Sequence, residues 1–171
     1  MHLKDAIKLR RSIRSFQNSD VSSDVIEHIL SLAIEAPSAG NLQPWRIIIL
    51  SKKEDKKEVA KIAYNQNFIT QAPYTIIIAA DTKKCMSVYG VRGRDLYSIQ
   101  DTSALIENIL LIATDCGLGT CWVGAFDEKA LAEFLDLPDG IRPVAIIPIG
   151  YPAENPPNRG RTPLRDILTW F

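Results

Sequence analysis

The sequence predicts a single domain in which amphipathic helices surround a sheet of apolar β-strands. Three short runs, Trp45–Leu50, Thr75–Ala80 and Val144–Ile149, are almost continuously apolar, which is typical of strands that are covered on both faces. Segments with the helical period of ~3.6 residues lie between these runs. A chain of 171 residues fits one domain, and it can bury about 70% of the surface that it exposes when unfolded.

Helical patterns occupy much of the first half of the chain. Leu3–Ile7 predicts a short first helix, and Val25–Ala36 keeps its apolar period over several turns. Ser22 suits the N-cap of this second helix, and Pro37 suits its end because proline cannot continue a helix. A charged amphipathic helix is predicted for Lys53–Tyr64.

The second half of the chain contains one unusually apolar helix. Thr102–Cys116 has few polar positions, which predicts a helix that is buried on nearly all sides. Because one chain of this length has little material to cover such a helix, a second copy is expected to contribute. Gly117 suits its C-cap. A short strand or loop is expected at Thr120–Phe126 and a capped helix at Asp127–Leu135.

The end of the chain predicts an extended arm at residues 152–171. Residues 153–158 read Ala-Glu-Asn-Pro-Pro-Asn, a composition that does not form a regular element. The arm closes with the apolar segment Ile167–Phe171, which we expect to dock on a protein surface. No repeat or linker divides the chain, so residues 1–171 are predicted to be one domain.

Charge and cysteine content limit the classes of partner. Lys plus Arg and Asp plus Glu number 20 each, so the net charge is zero. Proteins that bind nucleic acid or anionic membranes normally carry a broad basic field, so neither partner is expected. The three cysteines, Cys85, Cys116 and Cys121, form no C-x-x-C pair. With no signal peptide and no apolar run of roughly 20 residues, the sequence predicts a cytoplasmic protein that acts on small molecules.

Two arginine clusters at opposite ends of the chain suggest an anion site. The first contains Arg10, Arg11, Ser12 and Arg14, and the second is Asn158–Arg161, with Arg159 and Arg161. The planar guanidinium group gives two parallel hydrogen bonds to a phosphate, and Ser12 can supply another donor. The clusters alone are equally compatible with two solvated loops.

Side chains for hydrolytic or metal chemistry are missing. Only His2 and His28 are present, and the sequence contains no nucleophile elbow and no Walker loop. Gly117-Leu118-Gly119 follows a helix, which is the wrong context for a dinucleotide-binding loop. If the protein is an enzyme, a cofactor is therefore expected to supply the chemistry. The arginines, the amides of Asn41 and Gln43, and the backbone of 120–124 would suit flavin mononucleotide (FMN), which has a phosphate at one end and a hydrogen-bonding ring at the other.

The sequence resembles the FMN-dependent nitroreductases over nearly its whole length. The resemblance rests on five segments that occur in the order of the family pattern. They are Arg10–Arg14, Ala36–Trp45, Gln100-Asp101 with Ile106–Asn108, Gly117–Gly124, and Gly150–Pro152 before Arg159 and Arg161.

This resemblance implies an α+β fold, with a central mixed sheet wrapped by helices. It also implies an intertwined homodimer that exchanges C-terminal arms and holds two FMN sites at its interface. Arg10, Ser12 and Arg14, with Arg11 alongside, would bind the phosphate and ribityl groups, and Arg159 and Arg161 would complete the phosphate site. The ring contacts implied are Pro37, Ser38, Asn41 and Gln43 from the partner chain, backbone groups of Val123 and Gly124 near flavin N5, and Asn65 and Gln66 at the ring edge.

The mechanism that the resemblance implies is ping-pong hydride transfer. NADH or NADPH would reduce FMN and leave, and a nitroaromatic, a quinone or a similar acceptor would then take the electrons, without a catalytic side chain. Specialised members of the fold, such as a reductive dehalogenase or a flavin-destroying ligand synthase, remain alternatives, as does a flavin carrier or sensor without turnover. Two assignments stay open: the role of Cys121, and whether the 85–99 segment covers the flavin or contains a solvated loop.

Overall fold

The computed structural model describes residues 1–171 and confirms the predicted strands and most of the predicted helices. The helices are Leu3–Leu9 (α1), Ser23–Ala33 (α2), Lys53–Ile62 (α3), Thr82–Arg92 (α4), Ser98–Asp115 (α5) and Glu128–Phe134 (α6). The strands are Trp45–Leu50 (β1), Tyr74–Asp81 (β2), Gly119–Thr120 (β3) and Ile141–Gly150 (β4).

The four strands form one sheet in the order β1-β2-β4-β3. All three strand pairs are antiparallel, and the expected mixed character is limited to a parallel bridge between Ser12 and Thr120. β2 and β4 lie in the centre and are buried on both faces, as expected. For β1 that expectation is wrong, because β1 is an edge strand with Arg46 and Ile49 exposed.

Helices cover both faces of the sheet and create two separate cores. On one face, Ile76 and Ile78 of β2 pack in a core that contains residues of α2 and α5. On the other face, Ile77 packs in a core with Val59 of α3 and Leu131 of α6. Because successive side chains of a strand point to opposite faces, a continuous run of isoleucines serves both cores.

Capping interactions set the start of α2 and the end of α5 as predicted, whereas α2 ends at Ala33, before the predicted stop at Pro37. The Ser22 hydroxyl accepts a hydrogen bond of 3.3 Å from the amide of Asp24 at the start of α2. At the end of α5, Gly117 has φ 74°, and the amide of Leu118 reaches the carbonyl of Ala113 at 2.8 Å. Glycine adopts this left-handed conformation without a steric cost, so the chain turns here directly into β3.

α5 is buried on almost all sides within one chain. Among its residues only Gln100, Glu107 and Asp115 are exposed. α1, α2 and the sheet cover most of the helix, which confirms the prediction of a buried helix. Leu111 and Ile112 stay half-buried, and the expected contribution of a second copy to their cover remains a prediction.

The segment that the sequence left open is helical. α4 continues through Gly90, whose φ of 60° interrupts its regular geometry, into a π-helical turn at Gly93–Tyr97. For residues 90–95 the sequence leaves two interpretations open, a solvated loop and a wall over the flavin ring, and the helical structure contradicts the loop. Two glycines among charged residues hid the helical period, and the exposed side of α4 carries apolar residues such as Val88 and Val91.

The C-terminal arm is extended, as predicted. Apart from the half-buried Pro152 and Pro156, its residues are exposed, and its only regular element is a 3₁₀ turn at Leu164–Asp166. Trp170 is 86% exposed, and Phe171 is also exposed. The apolar end of the arm therefore does not dock on its own chain. None of the helices combines the length and the hydropathy that a bilayer crossing requires.

A buried lysine ties α3 to the start of β2. Lys56 is 6% exposed, and its ammonium group donates to the carbonyl oxygens of Ala72 at 2.5 Å and Pro73 at 3.0 Å. Burial lowers the pKa of Lys56, and the nearby Lys53 lowers it further. The lysine satisfies two acceptors that the sheet does not use, but it holds its charge away from water to do so.

We expect Lys56→Met to destabilise the protein by about 1–3 kcal/mol, because two carbonyl groups lose their donor. Exposed Lys57 on the same helix provides the control, and Lys57→Met should leave the thermal midpoint unchanged. The lowered pKa also means that the unfolded chain binds more protons than the folded chain between the folded-state pKa and the ordinary value of 10.5. Stability therefore rises with pH through this window in the wild type, and this contribution should be absent from Lys56→Met. Equal midpoints for the two variants in thermal denaturation would show that the hydrogen bonds of Lys56 do not stabilise the fold.

Candidate active site

The fold brings the two arginine clusters together in one cavity of about 500 Å³. Five of its lining residues are arginines, and Glu154 is its only carboxylate. Because arginine remains charged at any physiological pH, the cavity carries a net positive charge that favours a strong anion. The lining residues are Arg10, Arg11, Ser12, Arg14, Glu154, Pro156, Pro157, Asn158, Arg159 and Arg161. We call this cavity the arginine cradle.

Backbone pairing explains why the two ends of the chain converge. Ser12 forms a bridge with Thr120 of β3, and the amide of Ile13 donates to the Thr120 carbonyl at 2.8 Å. A few residues later, Phe16 bridges Pro152, and the amide of Ala153 donates to the carbonyl of Ser15 at 2.9 Å. The segment 12–16 thus lies between β3 and the base of the arm, and it carries the first cluster to the second.

The arginines of the cradle differ in what they already bind. The side chains of Arg10, Arg14 and Arg159 make no hydrogen bond and no ion pair within the chain. Arg11 instead donates to the carbonyls of Lys8 and Arg10, at 2.7 and 2.8 Å, and so caps the end of α1. Three uncompensated guanidinium groups are therefore available to an anion, while Arg11 has a structural role.

The second cluster is held in a local turn. The side-chain oxygen of Asn158 accepts a hydrogen bond of 2.9 Å from the amide of Gly160, whose φ is 77°. Arg161 donates to the Gly160 carbonyl at 2.7 Å. On the facing segment, the amide of Arg14 donates to the carboxylate of Glu154. These bonds set the directions of both arginine segments before any ligand binds.

Cys121 lies beside the cradle as a buried thiol. It is 2% exposed, and burial raises its pKa, although Arg14, Ser12 and Arg10 act in the opposite direction. The desolvation of a thiolate thus outweighs the attraction of two nearby arginines. The thiol remains protonated and unreactive at neutral pH, which argues against a redox role.

The chain beyond Cys121 presents an open backbone position at Gly124. The amide and the carbonyl of Val123 both bond to Ile146 of β4, at 2.9 and 3.0 Å, so these groups are used within the fold, and the contact of Val123 and Gly124 with the ring near flavin N5 stays a prediction. The amide of Gly124 has no partner within the chain. Apart from its two neighbours in the sequence, no residue lies within 4 Å of a Cβ atom built on Gly124, so the fold leaves space beside this position.

Gln66 lies next to this position, and Asn65 precedes it in the chain. The side-chain amide of Gln66 donates to the carbonyls of Ala63 and Ala125, both at 3.0 Å, and so joins the end of α3 to the residue after Gly124. Its donor is therefore used within the fold. Asn65 is exposed, has φ 63° and makes no side-chain hydrogen bond. Of the two predicted ring-edge residues, Asn65 has the freer side chain.

The predicted ring-contacting loop, Pro37–Gln43, does not line the cradle of its own chain. We call this segment the 37–43 loop. The hydroxyl of Ser38 accepts from the amide of Gln43 at 2.9 Å, and the side chain of Gln43 donates to the side-chain oxygen of Asn41 at 3.0 Å. The remaining groups of this pair, Asn41 Nδ2 and Gln43 Oε1, have no partner and offer one donor and one acceptor side by side.

Sequence reasoning missed several residues of these sites. Glu154 and Asn158 line the cradle, and Asp101 binds the 37–43 loop through the amide of Ala39. Asn158 and Asp101 lie in segments that the sequence singles out, the second arginine cluster and the Gln100-Asp101 pair of the family resemblance, but neither was assigned a role in the site. Glu154 carried no such signal, because its importance depends on its contact with the distant Arg14.

Comparison with known proteins identifies the family. The model of the Nitroreductase family matches residues 7–68 and 61–151. A protein of Methanothermobacter thermautotrophicus with the provisional name NADH dehydrogenase/NAD(P)H nitroreductase is 33% identical over 163 residues, which cover 93% of this chain and 82% of that protein. The FMN reductase [NAD(P)H] of Bacillus subtilis is 29% identical over 170 residues, which cover 90% of this chain and 67% of that protein.

Solved structures agree with this result. NfrA2 of B. megaterium superposes with a TM-score of 0.92 at 28% identity, covering 99% of this chain and 74% of that chain. A nitroreductase family protein of Streptococcus pneumoniae gives a TM-score of 0.91 at 25% identity, covering 99% of this chain and 100% of that chain. With sequence, fold and domain length in agreement, the chain belongs to the nitroreductase family.

Proposed function

We propose that this protein is an FMN-dependent oxidoreductase that uses NADH or NADPH to reduce small acceptors such as nitroaromatics and quinones. The observation that carries the proposal is the arginine cradle, where Arg10, Arg14 and Arg159 lack any partner in the chain. Relatives named NAD(P)H nitroreductase and FMN reductase [NAD(P)H] support the same activity. Because Glu154 forms no ion pair with these arginines, a dianionic phosphate is the best match for the cradle.

The donor set fits FMN at both ends. The cradle and Ser12 would hold the phosphate, and Asn158 and Glu154 can accept hydrogen bonds from the ribityl hydroxyls. From Thr120, which pairs with Ser12, the chain runs about 13 Å in extended form to Gly124. An elongated molecule anchored by its phosphate would thus bring its ring to the open space at Gly124, beside Asn65.

A bound FMN would supply the hydride chemistry, taking a hydride from a nicotinamide and passing it to an acceptor. The residues of this chain bind and orient rather than react. Gly124 keeps its amide and the space beside it free for the ring edge, and Cys121 remains a neutral thiol. We propose that the oxidised nicotinamide nucleotide leaves before the acceptor enters the same site, which is a ping-pong order.

A homodimer would complete the site. Asp101, which binds the 37–43 loop, lies near the start of α5, and Gly117, which leads into β3 and the cradle, follows its end. At 1.5 Å per residue the helix separates these points by roughly 20 Å, so the loop and the cradle of one chain lie far apart. We propose that each cradle is completed by the 37–43 loop of a second copy, including Pro37, Ser38, Asn41 and Gln43, and that the exposed arms exchange.

The cysteines are all free, which favours a reducing compartment such as the cytoplasm.

We expect the purified protein to release FMN rather than FAD on heating, as judged by chromatography. Arg10→Ala and Arg161→Ala should each weaken FMN binding at least about tenfold, because a hydrogen bond to a charged group contributes ~1.5–3 kcal/mol. Arg165→Ala is the matched control, since Arg165 lies on the same arm, outside the cradle, beside Asp166. Fluorescence titration with FMN provides the measurement. Unchanged affinity in both cradle variants would rule out the phosphate site.

Gly124→Val should slow flavin reduction by NAD(P)H by about a hundredfold, because displacement of a bound ring by ~1 Å has this effect. The chain itself has room for the new side chain, so the thermal midpoint without FMN should not change. Cys121→Ser and His28→Ala are the controls and should reduce at the wild-type rate. The measurement is the single-turnover rate of flavin bleaching at equal FMN occupancy. Loss of reduction in Cys121→Ser with normal reduction in Gly124→Val would instead favour a thiol mechanism.

Truncation after Thr162 should dissociate the dimer and release FMN, although every arginine of the cradle remains. The segment that this truncation removes contains the exposed apolar residues Leu164, Ile167, Trp170 and Phe171. A double variant, Arg165→Ala with Asp166→Ala, removes charges from the same segment and should stay dimeric with FMN bound. Sedimentation velocity with detection at the flavin absorbance distinguishes the outcomes. A monomer that retains FMN at wild-type affinity is incompatible with a site shared between chains.

A further inference from the structure

The 37–43 loop is held in a backbone conformation that most residues avoid. Gly40 and Asn41 both have φ 56°, and Gln43 has φ 50°. Glycine adopts left-handed angles freely, but Asn and Gln do so only where the surrounding structure compensates. The loop therefore depends on contacts that hold it in place.

Contacts within the loop set its shape but do not attach it to the protein. The hydrogen bonds among Ser38, Asn41 and Gln43 all join residues of the loop to one another. A closed loop of this kind can still move as a unit, because none of these bonds reaches another element. Its position must be set by bonds to the helices on either side.

Asp101 supplies the attachment. Its Oδ1 atom accepts a hydrogen bond of 3.0 Å from the amide of Ala39, across 62 positions of the sequence. Tyr89 of α4 packs on the other side, where a Cβ atom on Gly40 would lie 2.3 Å from its hydroxyl oxygen. Asp101 is the only hydrogen-bonding side chain outside the loop that reaches Pro37–Gln43.

A carboxylate at this position is costly to the fold. Asp101 is 6% exposed, and its Oδ2 atom is buried without a hydrogen-bond partner. No cation pairs with it, and burial raises its pKa despite the bond from Ala39. A charged acceptor binds an amide about twice as strongly as a neutral one. The buried carboxylate of Asp101 therefore gives a strong hydrogen bond to the amide of Ala39.

We propose that Asp101 is a positioning residue that holds the 37–43 loop so that Asn41 and Gln43 meet the flavin ring of the partner subunit. The bond to Ala39 sets where the free groups of this pair, Asn41 Nδ2 and Gln43 Oε1, are presented. Hydrogen bonds to the ring edge change the relative stability of its oxidised and reduced forms. Movement of the loop therefore alters the midpoint potential of the flavin as well as its affinity. This inference rests on the proposed function.

Two substitutions remove the same bond from opposite sides. Asp101→Ala removes the acceptor, and Ala39→Pro removes the donor. Proline suits the first position of a 3₁₀ turn, and the extended Ser38, with φ −144° and ψ 154°, is compatible with a following proline. Asp101→Asn keeps an acceptor oxygen and tests rescue. Glu107→Ala, an exposed acid on the same helix, is the control.

Asp101→Ala and Ala39→Pro should each weaken FMN binding about tenfold and shift its midpoint potential, measured by equilibrium titration against a reference dye. The double variant should be no worse than either single variant, because both remove one interaction. Asp101→Asn, which keeps an acceptor but loses the charge, should fall between the wild type and Asp101→Ala, and Glu107→Ala should match the wild type. If Asp101→Ala does not fold, Ala39→Pro tests the same bond by itself.

Wild-type affinity and potential in Ala39→Pro, or additive losses in the double variant, would overturn the proposal. So would an Asp101→Asn variant as impaired as Asp101→Ala. These outcomes are distinct from failure of the proposed function. In that case the wild-type protein itself would bind no FMN, and the variants would have no flavin signal to compare.

Discussion

The pairing of residues 12–16 with β3 and with the base of the arm is the interaction on which the site depends. It forces five arginines from distant parts of the chain into one cavity that contains a single carboxylate. Like charges gathered in one cavity repel, and backbone hydrogen bonds such as Ile13 to Thr120, together with the burial of Ile13 and Phe16, oppose the repulsion. An anion in the cradle relieves this repulsion in the folded state only, so its binding stabilises the fold.

α5 organises the rest of the molecule around this pairing. Its first turns hold Asp101 and through it the 37–43 loop, and its C-terminal Gly117 turns the chain into β3 and towards Ser12. Because the helix is buried along its length, the two ends keep a constant separation. In the proposed site, this rigid spacer keeps the 37–43 loop away from the cradle of its own chain, which is why we propose that a second copy supplies the loop.

Sequence patterns predicted the elements whose signals are local. The isoleucine runs of β2 and β4, the Ser22 cap and the Gly117 terminus all follow from rules that act over a few residues. α4 was missed because Gly90 breaks its period. The two arginine clusters were recognisable, but their convergence depends on long-range pairing that no local pattern encodes.

Residues that look alike in the sequence also have different roles in the structure. Arg11 looked equivalent to Arg10 and Arg14, yet its guanidinium group caps α1. Val123 looked equivalent to Gly124, yet its amide belongs to the ladder with Ile146. In each case the residue type was suitable, and competition from a backbone group decided its role. Such competition becomes visible only when every donor and acceptor of the chain has been assigned.

The burial of Cys121 helps to preserve the net positive charge of the cradle. A thiolate beside Arg14 and Arg10 would be an anion fixed in the protein, and it would compete with an incoming phosphate for the same guanidinium groups. The arginines favour that thiolate, but desolvation opposes it more strongly and raises the pKa of the thiol. The cysteine therefore packs as a small neutral side chain. The positive charge beside it stays available to a ligand because burial keeps this potential anion protonated.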